Sequence, residues 1–480
     1  VHQERDPRGP EQPNVLSPLG ELPIRFWALV VVTGIGAGLG AMAFMAILHV
    51  VQHAAFGYAT GEYSAAAAHR DDIRRIVVLT VGGLVTGVGY WVLRRRPGGT
   101  GGEPTGVVWT GKGDVLVGRS LASGALSEVS IGMGCSLGRE AAPQHAGAAV
   151  GAWLSRRLQL PDGQRMLLIA CGAGAGVGAV YNVPFAGALF AAELYLGSVN
   201  LDTIVPALAT AAIATAVSWI TLPMQAVYRV PAVGFPDLAL VVFALLLGPL
   251  TGVLSAGYVK LIGWAGDHRP TGRWLMVGPV LAFAVLGVIA IEYPLVLGNG
   301  RDLAQFAFSA SSGTTIIATL AMLTLLKPLV TSMCLRSGAS GGLFTPTFSF
   351  GAALGAFLGH LWALLWPGAP GSSYAVVGAA AMLGAAMQAP MAATAFAIEL
   401  TNTVNTSMVA ILIAVVGATL VAHRLELRSI YSARLPASEG STKGRTATTS
   451  PSSPAARRRR RLFASSRPEE RLPTGGGSEE

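Results

Sequence analysis

An internal repeat constrains this chain more than any other feature. Residues 172–194 read GAGAGVGAVYNVPFAGALFAAEL, and residues 378–400 read GAAAMLGAAMQAPMAATAFAIEL. At a constant offset of 206 residues, 11 of the 23 positions are identical. Glycine and alanine inflate such a score, but the shared Pro184/Pro390 and Glu193/Glu399 are not effects of composition. A second pair lies just upstream: Gly147–Leu154 (GAAVGAWL) and Gly351–Leu358 (GAALGAFL), at an offset of 204. In that frame Gly138-Arg139-Glu140 stands opposite Gly342-Leu343-Phe344. The chain is therefore two related halves, each with a Gly-rich turn, a short helix and a proline-broken segment.

The medium for these halves follows from composition. Of 480 residues, 52% are apolar and 12% are charged, about half the charge of a soluble protein. That excludes an ordinary cytoplasmic enzyme, a disordered chain and a disulfide scaffold, and leaves a polytopic membrane protein. Apolar stretches run over 26–50, 76–93, 115–135, 143–158, 166–196, 203–222, 237–264, 274–291, 314–335, 347–366, 374–400 and 406–423. Two of them, 143–158 and 347–366, are short and begin at Gly/Pro-rich turns; two others, 166–196 and 374–400, are long but carry a central proline. If the first broken segment counts as two half-helices, the number of spans between the repeats is odd and the repeat is inverted, as in many transporters. The expected fold is an all-α membrane bundle with broken and re-entrant helices. Residues 1–22 form a polar arm, 23–435 the membrane domain (halves 23–222 and 237–435), and 436–480 a disordered basic tail.

Charge sets the orientation. From Pro436 onward nine Lys/Arg and five Glu contribute +4 of the net +9. A basic tail beside a membrane domain reads as cytoplasmic under the positive-inside rule, not as a nucleic-acid site. Arg94, Arg95 and Arg96 close the second span, so both termini are expected in the cytoplasm and the chain in the plasma membrane. Val1 is not followed by a charged n-region and apolar h-region, so no cleavable signal peptide is expected. Cys135, Cys171 and Cys334 are odd in number, lack metal-site spacing and are expected as small buried side chains.

A helix that starts inside a membrane exposes unpaired N–H groups and the positive end of its dipole, a cost an anion removes directly. Two such starts, one per half, make a site for a monovalent anion. Cation sites want rings of carbonyls or carboxylates, and no Asp/Glu cluster is present. A membrane-embedded enzyme would need paired aspartates, a His-rich metal pattern or a Ser/His dyad at depth, and none is found. A transporter of larger solutes would use more aromatic and amide groups than Asn182 and Gln388. The chain is read as a non-enzyme that needs no cofactor or metal and transports small inorganic anions.

The two turns, Gly138-Arg139-Glu140-Ala141-Ala142-Pro143 and Gly341-Gly342-Leu343-Phe344-Thr345-Pro346, resemble the G-R-E-G-P and G-x-F-x-P signatures of the CLC chloride channels and chloride/proton exchangers. Cys334 to Ser340 (CLRSGAS), Tyr181-Asn182-Val183-Pro184 and Ser429-Ile430-Tyr431-Ser432-Ala433 are also similar to that family, in order, from about Pro23 to Leu435. The resemblance implies chloride as transported ligand, a homodimer with a path in each subunit, and roles residue by residue. Glu140 is the external gating carboxylate. Leu343 and Phe344 offer backbone N–H groups, and Tyr431 its hydroxyl. Gly138, Arg139, Gly342, Pro346, Asn182 and Pro184 belong to the supporting motifs. The family's serine hydroxyl falls, with one gap, on Thr100 in Gly99-Thr100-Gly101-Gly102-Glu103-Pro104. Leu194 stands where proton-exchanging members often carry an inward-facing glutamate, which favours a channel with weak or no proton coupling; the alternative is an exchanger with a non-standard inner proton path. Among the remaining polar groups, Glu193 and Glu399 are expected to tie helices together, Arg119 to pair with Glu128, Lys327 and Arg336 to snorkel, and His145 to be a buried or pore-edge side chain without a ligand role.

Overall fold

The computed structural model describes residues 22–111, 114–231, 238–311, 313–403, 407–425 and 427–434. The polar arm before residue 22 and the basic tail after residue 434 lie outside the described residues. What is described is helical. In the first half the chain runs through α1 (Ile24–Phe56), α2 (Tyr63–Ala68), α3 (Asp72–Arg95), α4 (Pro104–Thr110), α5 (Val117–Gly132), α6 (Ala141–Arg157), α7 (Asp162–Tyr181), α8 (Pro184–Leu189) and α9 (Leu201–Ser218). The second half follows with α10 (Leu238–Asp267), α11 (Trp274–Glu292), α12 (Arg301–Ser309), α13 (Thr314–Arg336), α14 (Phe344–Leu365), α15 (Gly371–Met387), α16 (Pro390–Thr401) and α17 (Met408–Arg424). Eight of these are long and apolar enough to cross a membrane. At 33 residues, α1 is about 50 Å long, so it crosses a hydrocarbon layer of about 30 Å at a tilt.

The predicted breaks are present, and both have the same build. At the end of α7, Asn182 is left-handed (φ 56°), and Pro184 starts α8 at a position where its missing N–H costs nothing. At the end of α15, Gln388 is left-handed (φ 57°), and Pro390 starts α16. The repeat continues into the packing. A Cβ on Gly147 would lie 1.9 Å from the carbonyl oxygen of Gly172, and one on Gly351 would lie 2.5 Å from that of Gly378. The small-residue runs thus let α6 press on α7, and α14 on α15, at backbone distance. Likewise Gly34 and Gly38 of α1 meet the carbonyls of Thr210 and Ala214 on α9, while Gly248 and Gly252 of α10 meet those of Ala414 and Ala418 on α17. The two halves form an inverted repeat.

The Gly/Ala-rich α7 and α15 are buried on all sides, from Met166 to Tyr181 and from Ser372 to Met387. Leucine and valine face outward instead, as on α10 (Leu245, Leu246, Val253) and α11 (Leu281, Val285, Val288). That is the distribution of a bundle in lipid, where the outer surface is as apolar as the tails. The three cysteines are buried thiols.

Three polar expectations resolve here. Glu193 and Glu399 do tie helices, in a reciprocal way: Glu193 accepts from the N–H groups of Met391 and Ala392 at 3.1 and 2.7 Å, and Glu399 from those of Phe185 and Ala186 at 3.3 and 2.6 Å. Each half caps the broken helix of the other, so at these two starts a carboxylate fills the place of an anion. Arg119 does not pair with Glu128. Nine residues along α5 is two and a half turns, which puts the two on opposite faces, and both Glu128 oxygens are buried without a hydrogen-bond partner among the described residues. Lys327 does not snorkel: it is fully buried, and its Nζ donates to Ser136 Oγ (2.8 Å) and to the carbonyls of Gly298 (3.1 Å) and Val296 (3.2 Å).

Candidate anion site and its gate

The two Gly-rich turns meet. Gly138 and Gly342 exchange both backbone hydrogen bonds, each 2.7 Å, as an isolated antiparallel bridge. Elements 204 residues apart are thereby locked face to face, and the bridge aims the start of α14 at the residue that follows Arg139. That residue is Glu140, 1% exposed. Its Oε1 accepts from the N–H of Phe344 at 2.7 Å, and its Oε2 accepts from the Tyr181 hydroxyl (2.9 Å) and the Thr345 hydroxyl (3.1 Å). The carboxylate thus sits on the N-terminus of α14, where a bound anion is favoured by the free amide and the dipole. The fit is tight: a Cβ on Gly342 would lie 1.8 Å from Oε1, and one on Gly138 2.2 Å. No residue but glycine can stand at either position while the carboxylate is there.

The residues on either side of Glu140 line different cavities, Arg139 one and Ala141 another. One, about 840 Å³, is lined by Arg139, Tyr181, Asn182, His49, Arg229 and Arg301, among others. Arg139 does not pair with its neighbour Glu140; its guanidinium turns to this side, 5.2 Å above the Tyr181 ring. The excess of arginine makes this an attractive basin for anions. The other cavity is small, about 20 Å³, and Gly342, Ser127, Ser340 and Tyr431 are among its walls. Tyr431 is 5% exposed, its ring edge-on to Phe190 at 5.7 Å, and its hydroxyl has no hydrogen-bond partner among the described residues. A buried donor without an acceptor, beside a cavity, is poised for a ligand.

The site therefore brings together Glu140, Phe344, Gly138, Gly342 and Tyr431. Leu343 caps α14, fully buried, and Pro346 lies in its first turn. Asn182 and Pro184 form the break of the first half, where Asn182 also holds the carbonyl of Met224 at 2.9 Å and the Trp219 indole N–H at 2.8 Å. Thr100 is not among the residues that line the small cavity. Gly101 and Gly102, at φ 102° and 88°, turn the chain between Thr100 and α4, and Glu103 reaches the small cavity instead. Glu103 lies in the connection ahead of α4, outside the spans. Burial pushes its carboxyl up, but His145, by contact and charge, and then Arg434 hold it down at about 2. Leu194 is buried in a π-helical turn, Phe190–Leu196, and its carbonyl accepts from the Trp109 indole at 3.1 Å. Tyr181, Thr345 and Glu103 carry no role in the sequence reading. Tyr181 and Thr345 lie one residue from assigned positions, but nothing local marks a hydroxyl that finds its acceptor 41 or 205 residues away.

A two-fold-repeated membrane bundle that holds a carboxylate on a helix N-terminus, between a basic basin and a small hydroxyl-lined cavity, is the build of an anion channel or transporter. Comparison with known proteins gives the family. The model described as "Voltage gated chloride channel" matches residues 102–423. A ClcB-like chloride channel protein of Ralstonia nicotianae is 30% identical over 394 residues, covering 78% of this chain and 89% of its own. The voltage-gated ClC-type chloride channel ClcB of Citrobacter koseri is 28% identical over 414 residues, 84% and 97% of the two chains. The H(+)/Cl(-) exchange transporter ClcA of Vibrio campbellii is 30% identical over 315 residues, 63% and 66%. Among solved structures, a slow cyanobacterial Cl−/H+ antiporter superposes with a TM-score of 0.74 at 21% identity, covering 89% of this chain and all of its own. The chain belongs to the CLC family of chloride channels and chloride/proton exchangers, and is a multi-pass membrane protein.

Proposed function

We propose that the chain conducts chloride between the two cavities, with Glu140 as the gate, and that it does so without stoichiometric proton coupling. The observation that carries this reading is the Glu140 carboxylate on the Phe344 N–H, filling the position an anion would take. When the carboxylate leaves, chloride takes the N–H groups of Leu343 and Phe344 and the free hydroxyl of Tyr431. Protonation of Glu140 removes the charge that competes for the site.

Leu194 supports the uncoupled form: a buried leucine at the inner position neither binds a proton nor keeps water there. Glu193 cannot take over, because its carboxylate is committed to Met391 and Ala392. The arginines support the orientation. Arg94, Arg269 and Arg434 act on one another close to Glu103, and Arg96 and Arg156 share a cleft, all on the Tyr431 side, which is therefore read as cytoplasmic. The likeness to the family supports a homodimer in the plasma membrane.

The test is flux from liposomes holding the purified chain. A chloride gradient is set at equal pH, and chloride and protons are recorded together. Chloride efflux without uphill proton movement is expected. Proton pumping at a fixed ratio to chloride replaces the channel with an exchanger, and no chloride flux removes the reading altogether.

A further inference from the structure

A cleft of about 550 Å³ opens where the C-terminus of α3, the first turn of α5 and the C-terminus of α6 come together. It shares no lining residue with the two cavities described above, and its size is that of sites for organic ligands. Each helix end contributes one arginine: Arg96, Arg119 and Arg156. Arg96 caps α3 and Arg156 lies in the last turn of α6, where a cation complements the dipole. Arg119 does the reverse. It is the third residue of α5, a helix with no acidic residue in its first turn and no side-chain cap, so its guanidinium adds to the positive end of the dipole. Among the described residues neither the Arg96 nor the Arg119 side chain has an ion-pair partner. Arg156 lies 2.5 Å from Asp114, but Arg165 draws on the same carboxylate at 3.7 Å. The cleft is therefore left with uncompensated positive charge.

Its place in the membrane says what answers that charge. The apolar α3 is long enough to cross a membrane, and Arg94, Arg95 and Arg96 close it, so the cleft lies at a membrane surface. The rest of its lining is apolar: Leu93, Leu116 and Val117, with Trp153 turned outward at 45% exposed. An indole beside arginines at the end of a span is an interfacial arrangement. A soluble anion would use the arginines alone, whereas a lipid uses both the charge and the apolar wall. We propose that this cleft binds the phosphodiester headgroup of an anionic phospholipid from the adjoining leaflet, with Arg96 and Arg119 on the phosphate and the acyl chains leaving along Trp153. The planar fork of a guanidinium matches phosphate oxygens, and a basic pocket between membrane helices suits such a headgroup. The phosphate then ties α3, α5 and α6 together at one end. Arg95 has no part in this, since its guanidinium lies 3.9 Å over the Trp91 ring and outside the cleft.

The experiment titrates the full chain, purified in a neutral detergent, with phosphatidylglycerol. The thermal midpoint is followed, and native mass spectrometry counts the lipids retained. Phosphatidylcholine with the same acyl chains and glycerol 3-phosphate without chains are the comparison probes. Phosphatidylglycerol should raise the midpoint saturably and stay bound, and neither comparison probe should do so at the same concentration. Arg96→Gln and Arg119→Gln should each weaken half-saturation about fivefold, and the double variant about thirtyfold. Arg95→Gln should respond as wild type. An equal response to phosphatidylcholine overturns the proposal, and so does a double variant that binds as wild type. A full shift with glycerol 3-phosphate overturns it in favour of a site for soluble phosphate. Loss in Arg95→Gln equal to that in Arg119→Gln overturns it in favour of diffuse attraction to a basic surface. The midpoint of each variant without lipid reports its folding; if the double variant does not fold, the single variants decide.

Discussion

At the scale of single residues, the proposed anion site is a competition for one set of donors. Glu140→Gln keeps the shape and removes the charge, so it should conduct at a high level and lose its response to pH on the Arg139 side; flux against pH in liposomes checks this. Three donors hold the wild-type carboxylate. A hydrogen bond to a charged group contributes about 1.5–3 kcal/mol, so Tyr181→Phe should release the gate and raise chloride flux at neutral pH by about ten- to a hundredfold. A current equal to wild type would mean that Tyr181 does not hold Glu140. Glu140, Phe344 and Tyr431 are legible in the sequence because each lies in a short local pattern. Tyr181 and Thr345 are not, since their role exists only once distant segments meet. Thr100 misleads because the glycine pair after it leaves the local path of the chain open, and the fold takes the turn that presents Glu103.

At the scale of elements, contact between helices depends on small residues at given places. Gly147→Ala puts a methyl 1.9 Å from the Gly172 carbonyl oxygen, so α6 and α7 must part, at a cost of about 1–3 kcal/mol. Gly257→Ala on α10, with nothing within 4 Å, should gain about 0.5–1 kcal/mol. Thermal midpoints in detergent, followed by size exclusion, should move in opposite directions for the two. Glu193→Gln and Glu399→Gln each weaken a charge-assisted cap and should lower the midpoint by similar amounts, each equivalent to about 1–2 kcal/mol; a loss in one half only would contradict the reciprocal arrangement. The repeat and the prolines make the breaks readable in advance. The π-helical turn that carries Glu193 and Leu194 is not, because it is one extra residue accommodated by packing rather than a pattern of its own.

At the scale of the whole molecule, two rotated copies of one plan enclose the proposed path, which neither contains alone. Glu140 comes from the first half, the Phe344 amide from the second, and Gly138 and Gly342 join them. A chain shortened to end at Leu435 keeps every group of that path. It should assemble and conduct chloride as the full chain does in the liposome assay. A shortened chain that assembles without flux would give the basic tail a part in transport. The membrane character and the two halves are legible from apolar runs and an offset near 205. Which face each helix turns inward is not, because α7 and α15 are apolar all round and only their neighbours decide.

The exchange of caps between the halves also sets a schedule for synthesis. Phe185 waits for Glu399, 214 residues later in the chain. At about 5–20 residues per second that is roughly 10–40 s of translation. Throughout this interval the broken helix of the newborn first half ends in bare amides inside or beside the bilayer. Lipid headgroups, water or the insertion machinery must shelter those amides until the second half emerges, so the ribosome's pace through residues 186–399 becomes a determinant of whether the finished pore forms.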